Sequence, residues 1–357
     1  MKKAMGKIVA AALALSVVSG ASLAGCSSSG AASSQPASSG QAASSSEASS
    51  SGGQFYSGTT ILGQSSWIGF APLLLAEQKG FFKNHGADVK IQSIESKSDS
   101  KSALAAGRIQ GISTTVDTHV MNAAAGLKVG IVLALDTSDG GDGIIAKKEL
   151  TTVKSLVGKT VALDTTGGAD YFWFQYLLQK ENLSLKEIKV QSMTAGDAGA
   201  AFVSGKVDAA VTWQPWLSKA DKTSFGHTLR SSKEDPGIIV DSLALSQDFI
   251  SKYPGTVQAI VDAWYDALAY MKTNPDDAYQ IMASKLGMTA ADFKTEMPDV
   301  KFYDKEGNVK YFGTAKAEGD IYKVAKLASD LWLSQKLTDA AVKPEDIING
   351  SFVAGGK

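Results

Sequence analysis

The feature that most constrains this chain is that it repeats itself. Val89-Lys90-Ile91-Gln92-Ser93-Ile94 returns 99 residues later as Ile188-Lys189-Val190-Gln191-Ser192-Met193. Ala103-Leu104-Ala105-Ala106-Gly107-Arg108-Ile109 returns 98 residues later as Ala201-Phe202-Val203-Ser204-Gly205-Lys206-Val207. Solenoids repeat at periods of roughly 20–50 residues, so two matches at one much longer offset mark two copies of a whole α/β unit.

Both copies have the same order. A strand (residues 59–63; 160–163) meets a glycine-containing loop, and a helix follows (70–79, closed by Gly80; 169–181). A second strand comes next (89–94; 188–193), then a short helix ending at Gly107 or Gly205, then a third strand (110–114; 209–212). Strands alternating with helices predict parallel sheets covered by helices on both faces. In such sheets ligands sit beyond the carboxyl ends of the strands, so the loops there are where function is expected. After about Asp241 the text turns helical, with apolar residues at helical spacing over 256–272 and 317–335. Trp264 and Trp332 are read as core. Asp304-Lys305-Glu306-Gly307-Asn308 is read as a surface hairpin turn.

The chain has 357 residues, and chains beyond roughly 250–300 residues usually divide. A net charge of -1, with Arg108 and Arg230 the only arginines, leaves no basic patch for nucleic acid. The front has another character. Lys2, Lys3 and Lys7 precede an apolar run over residues 8–18, the pattern of a secretory signal. The run is shorter than the roughly 20 residues a membrane-spanning helix needs. The only cysteine follows in Leu23-Ala24-Gly25-Cys26, which resembles the bacterial lipobox. Residues 1–25 are therefore expected to be a lipoprotein signal peptide and Cys26 the lipidated residue, with 26–57 a Ser/Ala/Gly-rich disordered tether. Such a tether reaches on the order of 25–30 Å. Its cleaved chain carries 32 basic against 36 acidic side chains.

Four segments carry a family resemblance. They are Trp67-Ile68-Gly69-Phe70-Ala71-Pro72-Leu73 with Ala76-Glu77-Gln78-Lys79-Gly80-Phe81-Phe82, then Asp139-Gly140-Gly141-Asp142-Gly143-Ile144. Gly196-Asp197-Ala198-Gly199-Ala200-Ala201-Phe202 and Val207-Asp208-Ala209-Ala210-Val211-Thr212-Trp213-Gln214-Pro215-Trp216 complete the set. The chain resembles the solute-binding proteins of ABC importers, in the branch that holds nitrate, alkanesulfonate, taurine and thiamine-precursor binders. The resemblance implies a two-lobed, periplasmic-binding-protein-like α/β fold of type II, each lobe a mainly parallel sheet flanked by helices. It implies lobe one at 58–138 and 241–350, the latter mainly helical and packed on lobe one, and lobe two at 139–240. It also implies a small-molecule solute, an ABC permease with its ATPase as partners, a monomer held outside the cytoplasm at the cell membrane, and no cofactor or metal.

The candidate ligand residues lie in the strand-end loops. Ser66, Trp67 and Phe70 come from the first loop, and Thr166, Gly167 and Gly168 from its repeat counterpart; the hydroxyls and free N–H groups there suit an anionic head group or simple N-capping. Trp67, Tyr171 and Trp213 are placed to stack on a planar or cationic group, with core packing the alternative for Tyr171. Thr115, Asp117, Asp142 and Asp197 stand at strand ends or helix starts, as do Asp136 and Asp170, where an acid serves a ligand or the helix dipole. No candidate loop holds an arginine, so the site suits an amine, a zwitterion or a neutral heterocycle better than a simple anion. Relatives often have Glu where Gln214 stands. The chain lacks a Gly-x-Ser-x-Gly elbow, a P-loop and a His-Glu-x-x-His motif, and His85, His119 and His227 are scattered, which argues against an enzyme. A lipoprotein that senses a solute through a membrane receptor and a thiamine-precursor (pyrimidine) binder or enzyme are the alternatives.

Overall fold

A computed structural model of the chain describes residues 53–314 and 317–356. The signal-peptide and Cys26 readings, and the tether as far as residue 52, lie outside the described residues. The last tether positions belong to the body. Tyr56 packs on Phe249 and Tyr253, and its N–H donates to Thr256 Oγ1 at 2.8 Å.

The first repeat copy forms β1 (Thr60–Gln64), α1 (Ala71–Lys79), α2 (Phe81–Asn84), β2 (Val89–Ser93), α3 (Lys97–Ala105), β3 (Gly111–Thr115) and α4 (Val116–Ala124). β4 (Val129–Ser138) and β5 (Asp142–Lys147) follow, and then the second copy: β6 (Thr160–Leu163), α5 (Ala169–Lys180), β7 (Lys189–Ser192), α6 (Ala195–Val203), β8 (Ala209–Trp213) and α7 (Trp216–Asp221). β9 (Gly226–Ser231) and β10 (Val240–Ser246) lead into α8 (Gln247–Lys252), α9 (Pro254–Thr273), α10 (Pro275–Leu286) and α11 (Ala290–Glu296). β11 (Val300–Phe302), α12 (Lys305–Phe312) and α13 (Asp320–Ser334) complete the chain.

The strands form two larger sheets, ordered β11-β4-β10-β3-β1-β2 and β7-β6-β8-β5-β9. The repeat is visible in both: β2-β1-β3 and β7-β6-β8 are parallel trios with matching register, Thr60 beside Val89 and Thr160 beside Lys189. Beyond the trios the pairing is antiparallel, β10 on β3 and β5 on β8. The sheets are therefore mixed, not mainly parallel as expected. The cause is an exchange of strands: β4 ends the first sheet and β5 enters the second across residues 139–141, and β9 returns to β10 across 232–239. A strand that arrives from the other sheet needs no crossover helix and can run against its neighbour. The two passages touch, since Ser138 Oγ and Ser232 Oγ are 2.7 Å apart.

Helix ends follow local chemistry. Gly80 closes α1 in the left-handed conformation at φ 76°. The Asp304 segment is helical rather than a hairpin turn, because the Asp304 carboxylate caps α12 by accepting from Gly307 N–H at 2.9 Å. An Asp four residues before an Asn suits a turn or a cap equally, and tertiary contact decides: Asn308 is fully buried and bonds both the N–H and the C=O of Ala134.

Trp264 is fully buried in the core between the first sheet and α1, α9 and α10. Trp332 is equally buried, at 0% exposure, but elsewhere. It leaves α13 to lie against Tyr171 (5.8 Å between centroids, 2° between planes) and Phe172 of α5, while its indole N–H donates to Asp117 O of α4 at 3.1 Å. α13 thus touches helices from both repeat copies. Among the described residues, no helix is long and apolar enough to cross a membrane.

Candidate functional site

The register aligns polar residues along one edge of each sheet. Asp241, the second residue of β10, lies opposite Thr115 at the end of β3 and opposite Asp136 near the end of β4. Across the gap, Asp142 opens β5 opposite Trp213, which ends β8. The carboxyl ends of the parallel strands and the amino ends of the exchanged antiparallel strands therefore meet at one place.

Between these edges lies a cavity of about 400 Å³, lined from the first sheet and its loops by Ser66, Trp67, Phe70 and Thr115 and from the second by Asp142, Trp213 and Gln214. Seven of the expected site residues are thus brought together. Asp117 is not a lining residue: it is buried at the start of α4. Tyr171 stacks on Trp332 and belongs to the core. Asp197 is an exposed member of the α6 cap, bonded to the Thr194 hydroxyl at 2.8 Å. Thr166, Gly167 and Gly168 also miss the cavity wall and form its lip, where Lys97 Nζ donates to Gly167 O at 2.8 Å and pairs with Asp164 at 3.4 Å. On the other side Gln214 Nε2 donates to Asp299 at 3.1 Å and Gln214 Oε1 accepts from Ser218 N–H. Gln214 lines the space with both ends of its amide already engaged.

In the two loops expected to suit an anionic head group, Ser66 and Thr166 are committed to the protein's own carboxylates. Ser66 N–H and Oγ both point to Glu95, at 3.3 and 3.2 Å. Thr166 N–H and Oγ1 both go to Asp164 Oδ1. An incoming anion would have to displace a carboxylate to reach the donors of Ser66 or Thr166.

Acids dominate the electrostatics. Asp170 and Asp241 line the cavity beside Asp142, and all three are at most 5% exposed. Burial, with repulsion from Asp117, pushes Asp142 up to about 6. Asp170 is raised well above the ordinary carboxylate range by burial and then by Asp142. Asp241 is raised likewise, by burial and then by repulsion from Asp136. Behind the wall, burial carries Asp136 to about 7 despite the bond it accepts from Trp67 Nε1 at 3.1 Å. Asp117 rises to about 6 for the same cause. His119 is buried and lowered to about 4, its Nε2 3.2 Å from Ser242 O, so its role is structural.

Asp241 is not legible as a site residue in the sequence because it stands at the start of an antiparallel strand and not in a loop after a parallel one. The available signal was an acid standing alone in an apolar strand, Ile-Ile-Val-Asp-Ser-Leu-Ala-Leu, as Asp136 does in β4. Two glycines make room for Trp67: a methyl group on Gly69 would strike the Asp136 carboxyl and the Trp67 indole nitrogen, and one on Gly141 would strike the outer edge of the indole.

A second cavity, about 550 Å³, lies between α5, the start of β7 and the end of α13. Its polar lining is Gln175, Gln179, Gln335, two serines and Lys186, and no strand end opens into it. Among the described residues, no three His, Cys, Asp or Glu side chains are grouped to hold a metal ion.

Residues 67–278 match the family model described as NMT1/THI5 like. The chain belongs to this family. Proteins similar to it include the binding protein YtlA of Bacillus subtilis, 25% identical over 213 residues, which are 58% of this chain and 64% of YtlA. The taurine-binding periplasmic protein of Escherichia coli K12 is 22% identical over 199 residues, 55% of this chain and 61% of that protein. The chain therefore spans less than two thirds of either relative. Among solved structures, the periplasmic aliphatic sulphonate binding protein SsuA of Escherichia coli superposes with a TM-score of 0.66 at 18% identity, over 80% of this chain and 96% of SsuA. That likeness establishes the fold, the type II arrangement of periplasmic binding proteins.

Proposed function

We propose that the chain is the extracytoplasmic solute-binding lipoprotein of an ABC importer, which captures a small organic solute between two lobes and presents it to the permease and its ATPase. The observation that carries this is the cavity of about 400 Å³ enclosed between the facing edges of two sheets joined by two adjoining passages of chain. Family membership supports it, as do the solutes for which the taurine-binding relative and SsuA are named. Lobe one would comprise 58–138 and 241–350, lobe two 139–240, and the joints 139–141 and 232–239 would be the hinge. Cys26 would carry the lipid and the Ser/Ala/Gly segment the tether, with the body acting as a monomer.

Closure, not chemistry, is the mechanism. A ligand that touches Trp67 and Thr115 on one lobe and Asp142 and Trp213 on the other gains contacts only when the lobes are together, and that difference sets how far it shifts the equilibrium. The lip bonds from Lys97 and Gln214 cross from one lobe to the other and form in the same closed state. The lining, with no arginine and with buried acids, favours an amine, a zwitterion or a neutral heterocycle over a simple anion.

The test is a thermal-shift screen of the full chain carrying Cys26→Ser against taurine, ethanesulfonate, nitrate, aminopyrimidines and small amines. A bound ligand at about 100 times its Kd adds roughly 2.7 kcal/mol, a saturable rise in Tm that Trp213→Ala removes. A rise that survives Trp213→Ala and Asp142→Ala would place the ligand elsewhere, and no rise with any solute would count against a receptor for small molecules.

A further inference from the structure

The acids at the cavity have no resident counter-cation. Asp142, Asp170 and Asp241 are buried in its wall, and the one lysine that lines it, Lys97, is turned to the lip, where Asp164 and Gly167 O hold it. Asp136 and Asp117, buried just behind, add negative charge and no cation. Glu95 and Glu296 also line the space. Buried carboxylates without a counter-charge are costly, and such groups are ordinarily paired.

Two polar atoms in the wall sharpen this. Asp170 and Ser113 line the cavity, and within them Asp170 Oδ1 and Ser113 Oγ are buried with no hydrogen-bond partner in the protein. Ionised beside a cation, the Asp170 carboxylate can only accept, so what Oδ1 then lacks is a donor. The acids also come from both sides of the gap, Asp241 from β10 and Asp142 with Asp170 from β5 and α5. Around them stand Trp67, Trp213 and Phe70, faces suited to a flat apolar group or a delocalised cation.

We propose that the cavity takes an organic cation bearing several N–H donors, of the amidine, guanidine or primary-amine class with a flat or short apolar remainder, whose N–H groups are received by Asp142, Asp170 and Asp241. This rests on the receptor reading above and narrows it. A quaternary ammonium carries the charge but cannot donate, and leaves Asp170 Oδ1 unpaired. A sulfonate or nitrate meets acids at the wall, and the donors of Ser66 and Thr166 already hold Glu95 and Asp164. A bare metal ion lacks a grouped donor set among the described residues. Because the ligand joins acids of both lobes, it neutralises their mutual repulsion only when the lobes are closed.

The experiment is isothermal titration of the full chain carrying Cys26→Ser with benzamidine, agmatine and phenethylamine, against phenyltrimethylammonium, taurine, ethanesulfonate and calcium chloride. Saturable binding is expected from at least one of the three N–H cations, at least tenfold tighter than phenyltrimethylammonium. Asp170→Asn should weaken that binding at least tenfold while its Tm, without ligand, stays at or above the parent's, since the substitution keeps the shape and replaces a carboxyl whose charged form burial and Asp142 disfavour. That Tm separates loss of a ligand contact from loss of fold. Equal affinity for phenyltrimethylammonium overturns the N–H argument, and binding of calcium alone overturns the organic cation. Binding of taurine or ethanesulfonate with the N–H cations silent overturns this inference and leaves the receptor standing; silence from every probe removes both.

Discussion

The loop after β1 and the loop after β6 hold equivalent places in the two repeat copies, yet they do different work. Ser66 and Trp67 of the first enter the cavity wall, while Thr166, Gly167 and Gly168 of the second stop at the lip and offer a backbone carbonyl to Lys97. Backbone conformation separates them. Gly167 and Gly168 have φ of 101° and 93°, conformations that side chains rarely adopt, whereas Gly69 is in an ordinary conformation and matters only for space. In the second copy the polar contribution passes to the helix that follows, through Asp170. A repeated strand-loop-helix frame thus preserves where a loop stands and not what it touches.

The sharpest way to break this comparison is to add one methyl group to each loop. Gly69→Ala drives a Cβ into the Asp136 carboxyl and Trp67, groups bonded to each other and unable to retreat. It should cost about 1–3 kcal/mol, lower Tm by several degrees and weaken ligand binding at least tenfold. Gly168→Ala meets only the flexible end of Lys97, so its cost is backbone strain of roughly 1–2 kcal/mol, with a smaller loss of affinity. Equal effects on affinity would show that the second loop is as much a part of the site as the first.

A smaller effect tests the acids that line the two edges. Asp117, Asp136 and Asp142 hold protons to about 6, 7 and 6, above the ordinary carboxylate value. Between that value and these, the folded protein binds protons that the unfolded chain has released, so their stabilisation is full at low pH and is lost as pH rises through about 7. His119, lowered to about 4, acts in the opposite sense and costs stability as pH falls below 6.5. The three acids outweigh it, and the ligand-free Tm should fall from pH 5 to pH 8. Asp142→Asn should remove on the order of 1 kcal/mol of that fall; an unchanged slope would show that Asp142 does not titrate in this range. The smallest effect is expected at the lip. Lys97→Met removes a half-exposed pair worth less than about 1 kcal/mol, leaves Tm nearly unchanged and speeds ligand release a few-fold, measured by stopped-flow fluorescence of Trp67 and Trp213.

Much of the frame was readable in the residues. The offset near 98 located both parallel trios to within a residue or two, and Gly80, Gly107 and Gly205 marked helix ends that the fold uses. The direction of β4, β5, β9 and β10 was not readable, because a buried strand has the same apolar text whichever way it runs. Of the site, Trp67, Asp142 and Trp213 stood out as large or charged residues beside glycines or at strand ends. Tyr171 did not separate from them, since a helix start puts one residue toward a cleft and the next toward the core by about 100° of rotation. Asp241 was hidden by the strand exchange itself, which carries the start of β10 to the level where β3 ends.

Trp332 has a mechanical consequence. Its ring lies flat on Tyr171 of one repeat copy and is pinned through its N–H to Asp117 of the other. Two flat faces in contact resist sliding apart far more than they resist turning in their own plane, so the seat acts as a thrust bearing behind the cavity. Sliding the rings apart would expose a fully buried indole and break its bond to Asp117.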